Sequence, residues 1–294
     1  MVKLYHLQSQ RLKLLHRYDA IVTHSNYMLA ELIKHDLSPQ SAYNFPYYVQ
    51  QANASPPSSD QSHQPEALLL PVPELSVGKP RPPTNGKVRH RLLFSGRMEF
   101  LKGGHVFLNS LPRVAAALEK PLHVTFAGEG RTRATWEQQA VTLQQQHPEL
   151  KIDFIGWVDR GQMDLLLSSC DLQVVPSLWP EPFGLVGPEA GLRGVPAAAF
   201  AVGGVPDWLV DGVNGYLAPG DPPTSEGLAH AIIGCLSDPV THARLRRGAV
   251  KIAERFSIKS HMAALTTVFD HVVSGEPLSA KKRTAPIDMS IAAR

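Results

Sequence analysis

Between residues 90 and 236 the chain repeats one pattern: a short apolar run, a glycine or proline, then a longer stretch with helical spacing. The runs are His90–Gly96, Leu122–Ala127, Lys151–Gly156, Leu172–Pro176 and Pro196–Phe200. Such runs read as buried strands, and the intervening stretches as helices. Parallel neighbours need a crossover between them, so strand–helix alternation predicts a parallel sheet with helices on both faces, a Rossmann-like α/β fold. Loops at the C-terminal ends of such strands build the binding crevice. Gly96-Arg97, Gly128, Gly156-Trp157, Pro176 to Glu181 and Gly203-Gly204 all follow predicted strands, so they converge on one edge.

The chain has 294 residues, 43% of them hydrophobic and 19% charged, enough to bury a sizeable core in one large or two modest domains. A net charge of +3 and one basic cluster, Lys281-Lys-Arg283, do not mark a nucleic-acid partner. Cys170 and Cys235 stand far apart in apolar stretches, which predicts reduced thiols of a cytoplasmic protein and no zinc site. The N-terminus has no apolar signal core, and no stretch approaches the roughly 20 apolar residues of a membrane span. Any membrane contact is expected to be peripheral.

The chemistry concentrates in Trp179-Pro-Glu-Pro-Phe-Gly-Leu-Val-Gly-Pro-Glu-Ala190, which follows the run Leu172–Pro176 and leads into a Gly-rich helical stretch closing at Arg193-Gly194. Backbone N–H groups around Pro182, Phe183 and Gly184, at a helix start, suit a phosphate. Glu181 in the loop and Glu189 on the helix suit hydroxyl-rich groups. Taken singly, each acid could be a solvated surface residue; two of them in an otherwise apolar segment point to a site, because an unpaired buried carboxylate is costly. A second cradle is Gly96-Arg97 with Lys102-Gly103-Gly104, where small residues admit an anion and cations neutralise it. Gly128-Glu-Gly130 lacks the third glycine of a dinucleotide fingerprint, which leaves NAD a weak alternative.

These motifs resemble the retaining glycosyltransferases of family 4, the GT-B-type glycosyl transferases group 1. Glu181 to Glu189 is similar to that family's Glu-x7-Glu signature, and Gly96-Arg97 with Lys102-Gly103 to its Gly-Arg-x4-Lys-Gly pattern. Gly128-x-Gly130 and Val202-Gly-Gly-Val-Pro-Asp207 match donor-side loops, with Asp207 where a Glu is usual, and Asp211 to Leu217 matches its Gly-x-x-Gly-Tyr-Leu pattern. The resemblance implies a nucleotide-diphosphate sugar donor, transfer with retention, and no metal; the sequence has no Asp-x-Asp. It implies catalytic roles for Arg97 and Lys102 on the diphosphate and Glu181 on the transferred sugar. It places the rest of the donor against Gly96, Gly128, Trp157, Val158, the amides of Phe183, Gly184 and Leu185, and Glu189 at the ribose. No cofactor beyond the donor is implied.

The same resemblance organises the chain. Residues 1–50, with a helical pattern from Leu4 to Tyr18 and a strand–helix unit from Ala20, look like the end of an N-terminal acceptor domain whose remainder is missing. Residues 51–86 carry eight prolines and predict a flexible linker, apart from a short Ala67–Leu70 patch. Residues 87–256 form the donor-binding domain, the C-terminal half of a GT-B fold. Residues 257–273 are a crossover helix whose stripe of Met262, Leu265, Val268, Phe269 and Val272 is expected to be core. Residues 274–294 are expected to be a disordered tail. The acceptor is an unidentified carbohydrate, lipid or small molecule, and a partner subunit supplying the acceptor domain is one way to complete it. A catalytically silent sugar-nucleotide-binding module and a GT-B epimerase remain as alternatives; a phosphorylase would need a lysine for pyridoxal phosphate, and no context for one is visible.

Overall fold

The computed structural model describes residues 9–50 and 89–275. The linker expected over 51–86, its Ala67–Leu70 patch, and the tail beyond Gly275 lie outside the described residues.

A six-stranded, all-parallel sheet organises the larger part of the molecule. Its strands are β3 (His90–Ser95), β4 (Leu122–Ala127), β5 (Leu150–Gly156), β6 (Leu172–Val175), β7 (Ala197–Phe200) and β8 (Gly215–Ala218). Their spatial order is β5-β4-β3-β6-β7-β8. The chain therefore builds outward from β3 in one direction, then crosses over and builds from β6 in the other. At that reversal Leu92 and Leu93 of β3 pair with Leu172 and Gln173 of β6.

Alternation along each strand sends neighbouring side chains to opposite faces, and both faces are covered. On one face Leu92, Phe94, Val124, Phe126 and Val174 pack with Phe107, Leu111, Trp136 and Ile232. Those partners come from helices α2 (Gly104–Leu118), α3 (Arg133–Gln146) and α6 (Ser225–Leu236). On the other face Leu93 and Ala127 meet Leu167 of α4 (Arg160–Ser169) and Ala190 of α5 (Val186–Gly191), while Ala197 and Ala199 meet Phe183, Ile252 and Phe256. Each such fully buried Leu or Phe side chain contributes roughly 1.5–3 kcal/mol. Helix starts are specified locally. Asp159 and Gln162 form a reciprocal capping box on α4, and Thr224, Asp238 and Ser257 cap α6, α7 (Pro239–Ala253) and α8 (Ile258–Ser274).

The N-terminal segment is helical over residues 9–14 and ends in a 3-10 turn, Leu15–Arg17. It continues as β1 (Ile21–Thr23), α1 (Asn26–Lys34, capped by Ser25) and β2 (Ala42–Asn44). β2 adds a second strand to the single strand–helix unit read from Ala20 onward. β1 and β2 pair in parallel, Ile21 opposite Ala42 and Thr23 opposite Asn44. Helix α8 returns onto this pair: Val268 packs with Tyr43 and Phe45, His261 Nδ1 lies 2.9 Å from Pro46 O, and Val49 N donates to Phe256 O. The stripe expected to be core is corrected. Val268 is buried, whereas Met262 is 49% and Phe269 60% exposed. Two three-residue strands are too narrow to cover an apolar face about 100° wide.

Candidate active site

The reversal in strand order opens a crevice between the C-terminal ends of β3 and β6, where ligands bind in open α/β sheets. Two loops meet there. One runs from Gly96 to Gly103, the other from Pro176 to Glu181, and Leu178 N donates to Leu101 O at 2.8 Å. Gly103, the residue before α2, has φ +70°, and a Cβ on it would lie 1.8 Å from Pro176 O. Glycine is required at this contact twice over, by conformation and by space.

This junction brings Lys102 to Glu181. Lys102 Nζ is 2.5 Å from Glu181 Oε1, with 28% and 11% of the two side chains exposed. Ser177, buried in the same loop, donates its hydroxyl to the same oxygen. Glu181 is held from behind as well, since Gly204 N donates to its carbonyl at 2.7 Å. Arg97 is exposed at the mouth of the crevice; its carbonyl accepts from Glu99 N, and its guanidinium makes no hydrogen bond or ion pair among the described residues. A positive rim over a partly buried ion pair is suited to an anion carrying polar substituents.

The remaining predicted residues extend from this point along the strand ends. Gly96 N donates to Ala127 O and Gly128 N to Gly156 O, so three strand ends lie side by side. A Cβ on Gly128 (φ +136°) would meet Gly96 O at 2.0 Å, so these loops pack backbone to backbone, whereas a Cβ on Gly96 would meet nothing within 4 Å. Trp157 follows, 74% exposed, and Val158 packs under it against the cluster around Leu93 and Leu167. Glu189 lies in the first turn of α5 and is grouped with Arg160 and Asp164 of α4 and with Arg193. Its surface is open, yet crowding on its inner side is enough that desolvation raises its carboxyl above the ordinary Glu range; Arg193 and Arg160 pull the other way. Arg193 donates to Glu189 O at 2.8 Å and to Asp164 Oδ1, which fixes the turn.

Phe183 is buried, its carbonyl accepting from Trp208 Nε1 at 2.6 Å, and Gly184 (φ +90°) turns the chain toward Leu185 and α5. The helix is one and a half turns long, so the amides at its start act through local N–H groups more than through a macrodipole. Asp207 does not reach into the crevice. Its carboxylate accepts from Asn26 N at 2.6 Å and Asn26 Nδ2 at 3.0 Å, and burial raises its pKa while those bonds lower it. The 203–207 loop thereby ties the Glu181 loop to the N-terminal segment. Sequence reasoning passed over Ser177, Asn26, Arg160 and Arg193. Ser177 had one visible signal, as a lone hydroxyl four residues before the loop acid; the others had none.

A profile of the glycosyl transferases group 1 matches residues 81–252, more than half of the chain. The chain belongs to this family. It is 35% identical over 160 residues to a glycogen synthase of Mycobacterium tuberculosis, covering 54% of this chain and 36% of that protein. It is 32% identical over 193 residues to a D-inositol 3-phosphate glycosyltransferase of Xylanimonas cellulosilytica, covering 63% and 43%. The chain thus spans less than half the length of these curated relatives. Among solved structures, Anabaena Alr3699/HepE in complex with UDP and glucose superposes with a TM-score of 0.65 at 20% identity, covering 89% of this chain and 66% of that one. The pneumococcal O-GlcNAc transferase GtfA in complex with UDP and GlcNAc gives 0.64 at 16% identity, covering 90% and 47%. The α/β fold with helices on both faces of a parallel sheet is therefore that of the GT-B glycosyltransferases. No helix among the described residues is long and apolar enough to cross a membrane.

Proposed function

We propose that this chain binds a nucleotide-diphosphate sugar across the β3–β6 crevice and takes part in transferring its hexosyl group, with retention, to an acceptor hydroxyl. The observation that carries the reading is the Lys102–Glu181 pair at the strand-order reversal, with Arg97 exposed beside it. When the bond from the sugar's anomeric carbon to the diphosphate breaks, negative charge grows on the departing oxygen. Arg97 and Lys102 stabilise that charge, an effect worth several kcal/mol in a preorganised site. Glu181 accepts from hydroxyls of the transferred sugar, Glu189 from the ribose, and the amides of Phe183, Gly184 and Leu185 lie along the sugar and phosphate. Gly96 and Gly128 give the backbone room for the diphosphate, and Trp157 and Val158 flank the nucleobase. The two cations supply the positive charge, so the proposal includes neither a metal ion nor an organic cofactor.

In this proposal residues 87–256 are the donor domain, α8 is the crossover helix and residues 1–50 belong to the acceptor side, in a cytoplasmic enzyme. A silent donor-binding module, or a subunit completed by a partner, is the second reading. Calorimetric titration of the chain with UDP, GDP and ADP and their hexose conjugates tests the first step. Binding that Arg97→Ala and Glu189→Ala both weaken is the expected result. A folded chain that binds none of them sinks the proposal.

A further inference from the structure

We propose that Ser177 is a positioning residue that fixes the Glu181 carboxylate so that Oε2 is presented to the donor sugar. This rests on the donor-binding function proposed above and adds a residue to it. A carboxylate on a loop can rotate and exchange its two oxygens, which blurs any hydrogen bond it offers a ligand. Here the symmetry is broken. Ser177 Oγ and Lys102 Nζ both approach Oε1, while Oε2 makes no hydrogen bond among the described residues.

The two holders of Oε1 are not equivalent. Lys102 is a flexible ammonium, 28% exposed, and its charge is also the one offered to the diphosphate. Ser177 is 1% exposed, on a short side chain at the end of β6, in a loop pinned to its neighbour through Leu178 N and Leu101 O. Its bond to Oε1 therefore persists when Lys102 turns toward phosphate, and it keeps Glu181 aimed at the sugar during that exchange. The backbone of Glu181 is clasped by Gly204 N, so χ rotation of the carboxylate is the freedom left for Ser177 to remove.

The test compares nucleotide with nucleotide sugar. The full chain and its variants are titrated with UDP and UDP-glucose, with GDP and GDP-mannose and with ADP and ADP-glucose in parallel, and the ratio of the two Kd values in each pair is read as the sugar preference. Ser177→Ala is expected to reduce that preference by about ten- to a hundred-fold, as for loss of a hydrogen bond to a charged group, with nucleotide affinity unchanged. Ser177→Thr, which keeps the hydroxyl, restores it. Glu181→Gln abolishes the same preference, and Ser177→Ala adds nothing further in that background. Should melting curves show Ser177→Ala unfolded, Ser177→Cys keeps the volume with a weaker donor and gives the same ratio. Retention of the preference by the variant, or equal weakening of UDP and UDP-glucose, overturns the role of Ser177 and leaves the donor site standing. A wild-type chain that binds nucleotide with no sugar preference also overturns it. A folded wild type that binds no nucleotide at all removes the donor site and this role together.

Discussion

Gly103→Ala probes the junction that delivers Lys102 to Glu181, and Gly212→Ala is its control. Both glycines have φ +70°, so an alanine at either carries a similar left-handed backbone strain of about 1–2 kcal/mol. Their surroundings differ. A Cβ on Gly212 meets nothing within 4 Å, whereas on Gly103 it stands 1.8 Å from Pro176 O and 2.9 Å from Pro176 C. These are backbone atoms and cannot rotate aside, so the loops must part by more than an ångström to reach normal contact distance, roughly 3.5 Å. That movement stretches the 2.8 Å Leu178 N–Leu101 O bond and the 2.5 Å Lys102–Glu181 pair. Overpacking of this kind adds about 1–3 kcal/mol to the strain. We therefore expect Gly103→Ala to be less stable than Gly212→Ala by about 1–3 kcal/mol, a further fall of about 2–12 °C in melting temperature. Scanning calorimetry measures the difference, and titration with nucleotide follows the site: Gly103→Ala loses affinity and Gly212→Ala keeps it. Equal stability losses in the two variants would refute the close approach of these loops.

Two further outcomes follow from charge and burial. Desolvation holds the folded pKa of Glu189 above its unfolded value of 4.5, so the folded state binds its proton more tightly and stability falls as pH rises through that range. Glu189→Gln should accordingly raise the melting temperature at pH 7, change nothing well below pH 4.5, and weaken nucleotide binding; a variant destabilised at pH 7 contradicts this. His24, stacked on Tyr47 at 3.7 Å with Nδ1 3.0 Å from Phe45 O, has its pKa lowered below 6.5, chiefly by burial and further by His261, against the raising effect of the Phe45 carbonyl. A lowered His contributes stability above pH 6.5 that is lost as pH falls through its folded value. Protection at Val22 and Thr23, measured by amide exchange and corrected for the intrinsic exchange rate at each pH, should fall on acidification from pH 7.5 in the wild type and stay level in His24→Phe; identical corrected profiles in the two would count against it.

How much of this could be read from the residues depends on how local each cause is. Strands β3, β6 and β7 were legible as nearly continuous apolar runs covered on both faces, and β4 and the edge strand β5 by apolar alternation, their other face carrying His123, Lys151 and Asp153. β2 was not: Ala42–Asn44 is three residues long and ends in a polar side chain, and it is a buried strand only because β1 and α8 enclose it. The stripe on α8 was legible as a stripe, but periodicity says which face is apolar and not how much surface exists to cover it. In the site, Arg97, Lys102, Glu181 and Glu189 announced themselves as charges in apolar surroundings, whereas Ser177 and Asn26 are ordinary polar residues until their partners are known. The deepest difference lies in the strand order. Lys102 and Glu181 are 79 residues apart, and alternation of strands and helices alone would let them end anywhere along the sheet's edge. They meet because β3 and β6 become neighbours when the crossover reverses direction, which leaves the two following loops with no helix between them. Gly103, with no Cβ to hold Pro176 away, then closes the remaining distance. The site is therefore a consequence of topology completed by one glycine, and the charged residues are what the crevice so formed was able to bring together.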